Sequence, residues 1–122
     1  MDEAKRDAIL ETIELYFDGM YHDDVDKLRR AFHPQAEFVG VFQGHFSWIG
    51  LEDFLRLFGR SRSPAQRGDA NNNRVVSIDV TGQVAVAKVE DEYLGLRFTD
   101  YLTLHQGKQG WQIVHKAYHH HR

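Results

Sequence analysis

The sequence predicts an α+β protein in which helices lie on one face of a curved antiparallel sheet. Three observations carry this expectation. Val84 to Tyr118 is rich in β-branched and aromatic residues, contains no proline, and is interrupted at Leu94-Gly95-Leu96 and Gly107-Lys108-Gln109-Gly110. That is the pattern of three strands joined by two short hairpins. Glu3 to Tyr21 places Ile9, Ile13, Tyr16, Phe17 and Met20 at helical spacing, with Asp7, Glu11, Glu14 and Asp18 mostly opposite. The helical segments come early and the long strands late, an order that segregates helices to one side of a sheet. With 122 residues the chain has room for one domain, 1–122, with one core.

Taken in order, the first helix is followed by Asp23 and Asp24, N-cap candidates for a second helix whose Val25, Leu28, Ala31 and Phe32 share a face. His33-Pro34 ends it, because the residue before a proline resists helical backbone angles. Glu37 to Gln43 predicts a strand, Gly44 a turn, and Phe46 to Ile49 the returning partner. Leu51, Phe54, Leu55 and Phe58 then predict a third helix, stopped at Gly59. Arg60 to Asn73 offers almost nothing to bury and is expected to be a mobile connection. Arg74 to Val80 alternates as a strand, and Thr81-Gly82-Gln83 turns it into the meander.

Centring the last two turns on their glycines pairs Lys88 with Asp100 and Asp100 with Lys116, with Val86, Leu102 and Val114 one layer along. The even-numbered face then becomes an apolar floor with a charged rim. The odd-numbered face carries Tyr93, Arg97, Thr99, Tyr101, Thr103, Trp111, Ile113 and His115, too aromatic to be left in water. A slip of one residue in either turn exchanges the faces.

Composition removes several function classes. Hydrophobic residues at 42% and charged residues at 27% describe a folded soluble chain, not a disordered one. No apolar run is long enough to span a bilayer and the charged start MDEAKRD lacks a signal-peptide core, so no membrane partner and a cytoplasmic location are expected. The absence of cysteine excludes disulfides, thiol catalysis and thiolate metal sites. A net charge of -3 argues against a broad nucleic-acid surface. Neither a Walker loop, a Rossmann glycine pattern nor G-x-S-x-G occurs. His115 and the run His119-His120-His121 lack a second ligand cluster at a recognisable spacing, so neither metal nor cofactor is expected.

The order of elements, together with Tyr16-Phe17-Asp18-Gly19-Met20, Ala31-Phe32-His33-Pro34-Gln35-Ala36, Phe98-Thr99-Asp100-Tyr101-Leu102 and Gly110-Trp111-Gln112-Ile113-Val114, resembles the nuclear-transport-factor-2-like (SnoaL-like) superfamily. Within it the chain is similar to the putative lumazine-binding family, over Glu3 to Tyr118. The resemblance implies a cone-shaped fold, a curved antiparallel sheet wrapped around the long N-terminal helix with two further helices. It also implies a pocket on the concave side and a homodimer through the convex side. The superfamily contains isomerases, dehydratases and polyketide cyclases as well as non-catalytic binding domains, so the fold does not select a function. Matching Lys88, Asp100 and Tyr118 to pocket positions of similar domains turns the even-numbered face inward.

Asp100 and Lys88 are the leading site residues, since a carboxylate and an ammonium in an apolar cone can orient a ligand or tune each other for proton transfer. A structural cross-strand ion pair is the competing account. His33, at a helix end near the expected mouth, suits acid–base work, or simply bonds backbone. Tyr16, Phe38, Phe42, Trp48, Phe54, Phe58 and Phe98 either line an aromatic cavity or fill the core. Lys116 and Tyr118 can offer a cation and a hydroxyl to an anionic ligand, unless they lie solvated at a strand end. Arg60, Arg62 and Arg67 draw anions toward the mouth or sit in water. Tyr93, Tyr101, Trp111 and Ile113 are assigned to a dimer interface, with packing under the chain's own loops as the competing account. The expected function is binding of a small, flat organic ligand, anionic ones included. The alternative is a cyclase-, isomerase- or dehydratase-like enzyme with Asp100 or His33 as general base and Tyr16 or Tyr118 as donor.

Overall fold

In the computed structural model, which describes residues 2–122, helix α1 spans Glu3–His22. The Asp2 side chain caps it by accepting from the Ala4 and Lys5 amides, and Asp23 ends it in the left-handed region at φ 51. Helix α2 (Val25–Ala31) starts at once, with the Asp24 carboxylate accepting from the Lys27 amide. The two helices meet closely at Gly19, where an added Cβ would lie 2.7 Å from the Leu28 side chain. Any larger residue there would push α2 away from α1.

Strands β1 (Phe32–Phe42) and β2 (His45–Gly50) form the small hairpin. Pro34 is tolerated inside β1 because the pairing with β6 is irregular between Phe32 and Glu37, so no ladder bond is lost there. Helix α3 is shorter than expected, Leu51–Leu55; Phe58 follows it in a turn and Gly59 lies beyond at φ 82. The connection that follows is also more ordered than its composition suggests. It contains helix α4 (Pro64–Arg67), started by a Ser63–Gln66 capping box, and both Ser63 and Pro64 are buried. The Tyr21 hydroxyl donates to the Asp69 carbonyl at 2.5 Å and ties this segment to α1.

Strands β3 (Arg74–Thr81), β4 (Val84–Tyr93), β5 (Leu96–Gly107) and β6 (Gly110–His121) make the expected antiparallel meander. A single six-stranded sheet runs β2-β1-β6-β5-β4-β3, and β1 joins β6 in parallel, the one departure from an antiparallel sheet among the described residues. The buried stripe of α1, including Ile9, Ile13, Tyr16 and Phe17, packs on the concave side against β4 and β6. Phe32, Leu102, Leu104 and Ile113 complete the fully buried centre.

The registers depart from the expectation in two ways. Leu94 and Gly95 form a two-residue turn with φ 52 and 81, so Tyr93 pairs with Leu96 and Val89, not Lys88, lies opposite Asp100. Leucine in the left-handed region is uncommon, so the residues themselves do not announce this turn. The slip turns β4 over: Ala85, Ala87, Val89 and Asp91 are buried, while Lys88 faces the convex side over the Tyr101 ring and Val86 is exposed. In the second hairpin Asp100 pairs with Tyr118 and Leu102 with Lys116, not Asp100 with Lys116 as expected, and the register shifts between Thr103 and Leu104, leaving Val114 without a partner. This bulge lets Trp111 and Ile113 share the concave side with Lys116 and Tyr118. Of the four residues assigned to the outer face, Trp111 and Ile113 are therefore core, Tyr93 packs against the core, and only Tyr101 is outside. The convex surface is apolar through other residues, chiefly Val41, Phe46 and Trp48.

Candidate functional site

Between the concave ends of β1, β2, β5 and β6 and the segment around α3 lies a cleft of about 500 Å³. Its wall follows from strand alternation. Phe38 and Phe42 on β1, Phe98 on β5 and Tyr118 on β6 all point inward, and Phe54 and Phe58 close it from α3 and the turn beyond. Phe38 and Phe54 stack with ring centroids 4.1 Å apart and planes 11° apart. Phe58 stands edge-on to Phe54 and to Tyr93, whose hydroxyl donates to Asp23 Oδ1 at 2.7 Å. Burial first, then that hydrogen bond, raises Tyr93 well above the usual phenol range. Phe42, Phe98 and His120 cluster with centroids 4.9–6.1 Å apart.

Lys116 is the cation lining this apolar space, 6% exposed. Its Nζ lies 5.0 Å from the ring centres of Tyr16 and Phe54 and 5.7 Å from that of Tyr118. Cation–π attraction to these faces offsets part of its desolvation. Tyr118 is held by Gly40: a Cβ at residue 40 would fall 2.5 Å from Tyr118 Cε2. Burial, with the Asp100 charge behind it, raises the Tyr118 phenol, while a hydrogen bond with Ser47 opposes the rise.

Behind Lys116 lies an acid pair. Asp100 Oδ2 is 4.0 Å from Lys116 Nζ, and the Tyr16 hydroxyl reaches Asp100 Oδ2 at 2.7 Å and Asp91 Oδ2 at 3.0 Å. Tyr16 has one hydrogen to donate, so the two carboxylates share it unless one carboxyl carries a proton and donates to the phenol oxygen. Asp91 Oδ1 and Asp100 Oδ1 are buried without a hydrogen-bond partner among the described residues. Burial, then the charge of Asp100, lifts Asp91 well above the usual carboxylate range, against the pull of Lys116 and Tyr16. Burial and the same two carboxylates raise Tyr16 as well. Asp91 is thus biased toward its protonated form beside Asp100, which lies within ion-pair reach of the cleft's cation.

Of the residues expected to bind ligand, Lys116, Tyr118, Phe54, Phe58 and Phe98 line the cleft. Tyr16 is fully buried beneath it, as is Asp100. Lys88 and Trp48 lie on the convex side, Trp48 61% exposed, both turned outward by strand alternation. His33 is away from the lining; its Nδ1 accepts from the Gln35 amide at 3.0 Å. Arg62 donates to the Gln66 carbonyl and Arg67 pairs with Asp69, both within the connection. Sequence reasoning missed Asp91 in the group beneath the cleft, and Met20, Ser47, Ile49, Leu57, Leu94 and Leu96 on its lining. The in-out alternation Ala85, Ala87, Val89, Asp91, Tyr93 contains the signal, since a carboxylate in line with three buried apolar positions faces inward too. The histidine run divides between the faces: His120 packs on the cleft aromatics, while His121 Nε2 lies 2.7 Å from Thr99 Oγ1. Among the described residues no three His, Asp or Glu side chains are grouped to hold a metal ion, and no helix is long and apolar enough to cross a membrane.

Comparison with known proteins places this geometry. Residues 4–119 match the family described as "Putative lumazine-binding". The chain is 26% identical over 119 residues to "Aldolase FrzH" of Cladobotryum sp, covering 95% of this chain and 91% of that relative. A solved NTF2-like protein of unknown function from Shewanella baltica OS155 superposes with a TM-score of 0.89 at 26% identity, over 100% of this chain and 98% of the other. Another, from Silicibacter pomeroyi DSS-3, gives 0.82 at 26% identity, over 99% and 100%.

Proposed function

Because the chain belongs to the putative lumazine-binding family, with its nuclear-transport-factor-2-like fold, we propose that its concave cleft binds a small, flat organic molecule. The observation that carries this reading is an aromatic-walled cleft of about 500 Å³ with one buried cation, Lys116, on its lining. Volumes of roughly 300–1,000 Å³ with few polar groups are usual for small-molecule sites. Flat rings slide between the Phe38–Phe54 stack and Phe98, and an acceptor oxygen, carbonyl or anionic, is met by Lys116 and Tyr118. Native mass spectrometry and calorimetric titration with planar heteroaromatics, lumazine included, test this. Binding that weakens at least about tenfold in Lys116→Met supports it; binding indifferent to both Lys116→Met and Phe54→Ala refutes it.

A second reading, catalysis, is favoured by the acid pair bridged by Tyr16 beside Lys116. Asp100 is the base of this reading, acting through Lys116 because it is fully buried, and Tyr118 is the donor to a developing oxyanion. His33 has no part in it, being outside the cleft lining. The relative from Cladobotryum, named an aldolase, belongs to the same class of carbonyl chemistry that such a set of groups serves. We also assign the exposed Val41, Phe46, Trp48 and Tyr101 to a homodimer interface on the convex face. Light scattering of the wild type and Trp48→Glu checks this: a dimer converted to a monomer is the expected result, and a monomeric wild type overturns it.

A further inference from the structure

We propose that Lys116 is a nucleophilic lysine that condenses with flat aldehydes or ketones in the cleft to give a protonated imine. The inference deepens the reading of the cleft as a ligand site and rests on it. Of the five lysines, Lys5, Lys27, Lys88, Lys108 and Lys116, only Lys116 is buried. It is also the one that combines three conditions for imine formation. Its amine lines an apolar space large enough for a small carbonyl compound. Its surroundings, the Tyr16, Phe54 and Tyr118 rings, present π faces that stabilise the positive charge of a protonated imine formed at Nζ. Asp100 Oδ2, at 4.0 Å, is the nearby group able to receive its proton.

The steps balance without an added reagent. Lys116 passes one proton from Nζ to Asp100 and becomes a free amine. The amine lone pair attacks the carbonyl carbon, the C=O π pair moves to oxygen, and a proton relayed from nitrogen to that oxygen gives the carbinolamine. The proton held by Asp100 then goes to the hydroxyl, which leaves as water while the nitrogen lone pair forms the C=N bond. The product is a protonated imine, and the acid pair ends as it began. The buried Oδ1 atoms of Asp91 and Asp100, which have no partner among the described residues, are where such a borrowed proton can rest. The aromatic walls restrict the carbonyl partner to planar, largely apolar compounds, aryl or α,β-unsaturated aldehydes and ketones, and disfavour sugars and short polar keto acids.

The test is reductive trapping of the full chain with cinnamaldehyde and sodium cyanoborohydride, followed by peptide mass mapping. Trapping converts the imine to a secondary amine, so each labelled lysine gains the mass of the aldehyde less its oxygen. Labelling of Lys116 should exceed that of each other lysine by at least about tenfold, and Asp100→Asn should reduce that ratio by about tenfold. The ratio is internal to each sample, and because unfolding would also erase it, circular dichroism and cinnamyl alcohol binding of Asp100→Asn are measured first, the comparison being read only on folded protein that still binds the alcohol. Binding of cinnamyl alcohol, which has the same shape and cannot condense, is measured in parallel by calorimetry. Alcohol bound without a preferential Lys116 adduct overturns the imine and leaves the cleft reading standing. Neither alcohol binding nor adduct overturns both.

Discussion

Replacing Asp91 with asparagine tests whether one carboxyl of the buried pair is protonated in the folded protein. Asparagine keeps an oxygen to accept from Tyr16, places an amide where the acid hydroxyl would be, and cannot ionise. Burial, and then the charge of Asp100, hold Asp91 well above its ordinary value of 3.8, so the folded chain keeps a proton that the unfolded chain releases above about pH 4. The stability linked to this carboxyl is therefore fully present below about pH 4 and is lost as pH rises through the folded pKa. One proton corresponds to a slope of about 1.4 kcal/mol per pH unit. The substituted side chain contributes no such slope, so the Asp91→Asn variant should gain on the wild type by that amount per pH unit, until the folded carboxyl ionises. An unfolding entropy of about 2.1 cal/mol/K per residue gives roughly 0.26 kcal/mol/K for this chain, and each pH unit should separate the unfolding midpoints by about 5 °C. Thermal unfolding of both proteins between about pH 4 and pH 8 measures the difference, in which the surface carboxylates cancel. Parallel curves would refute a protonated Asp91.

The same geometry sets the outcome of four further substitutions. Tyr16→Phe removes the hydroxyl shared by both carboxylates and should cost about 2–4 kcal/mol in urea unfolding, more at alkaline than at acid pH. Gly40→Ala drives a methyl into the Tyr118 ring and should destabilise by about 1–3 kcal/mol. Adding Tyr118→Ala removes the obstacle, so the double variant should lose less than the sum of the single ones, measured as a double-mutant cycle. Phe54→Ala deletes one ring of the stacked pair at the back of the cleft and should cost about 3–5 kcal/mol, read from the denaturation midpoint.

Much of this architecture is written in short-range signals. The α1 stripe, the Asp24 cap and the two glycine-marked hairpins are each set by residues within a few positions of one another, and those elements appear where the sequence puts them. What is not legible depends on contacts distant in sequence or on single unusual backbone angles. The parallel pairing of β1 with β6 joins segments far apart along the chain, Phe38 with Lys116 for example, and no local pattern announces it. Helix α4 forms in a polar tract because Ser63 and Gln66 cap each other and Pro64 finds a buried place. The candidate site is half legible. Lys116, Tyr118, Phe54, Phe58 and Phe98 reach the cleft, whereas Lys88 and Trp48 point away and Asp91 takes the inward place on β4.

The exchange of Lys88 for Asp91 changes the chemistry of the floor more than its shape. A row of Lys88, Asp100 and Lys116 would carry one net positive charge and would bind anions simply by attraction. The actual group, Asp91, Asp100 and Lys116, would carry one net negative charge if every member were ionised, and a buried net charge is costly. Retaining one proton on the pair removes that cost and brings the floor to neutrality. Lys116 is then already balanced by Asp100 and has little net field left to attract an anion. A neutral carbonyl compound, which needs an amine to attack it and a carboxyl to lend and recover a proton, suits this floor better than a carboxylate or phosphate does. The preference originates in a two-residue turn: Leu94 in the left-handed region sets the register that brings Asp91, and not Lys88, beneath the cleft.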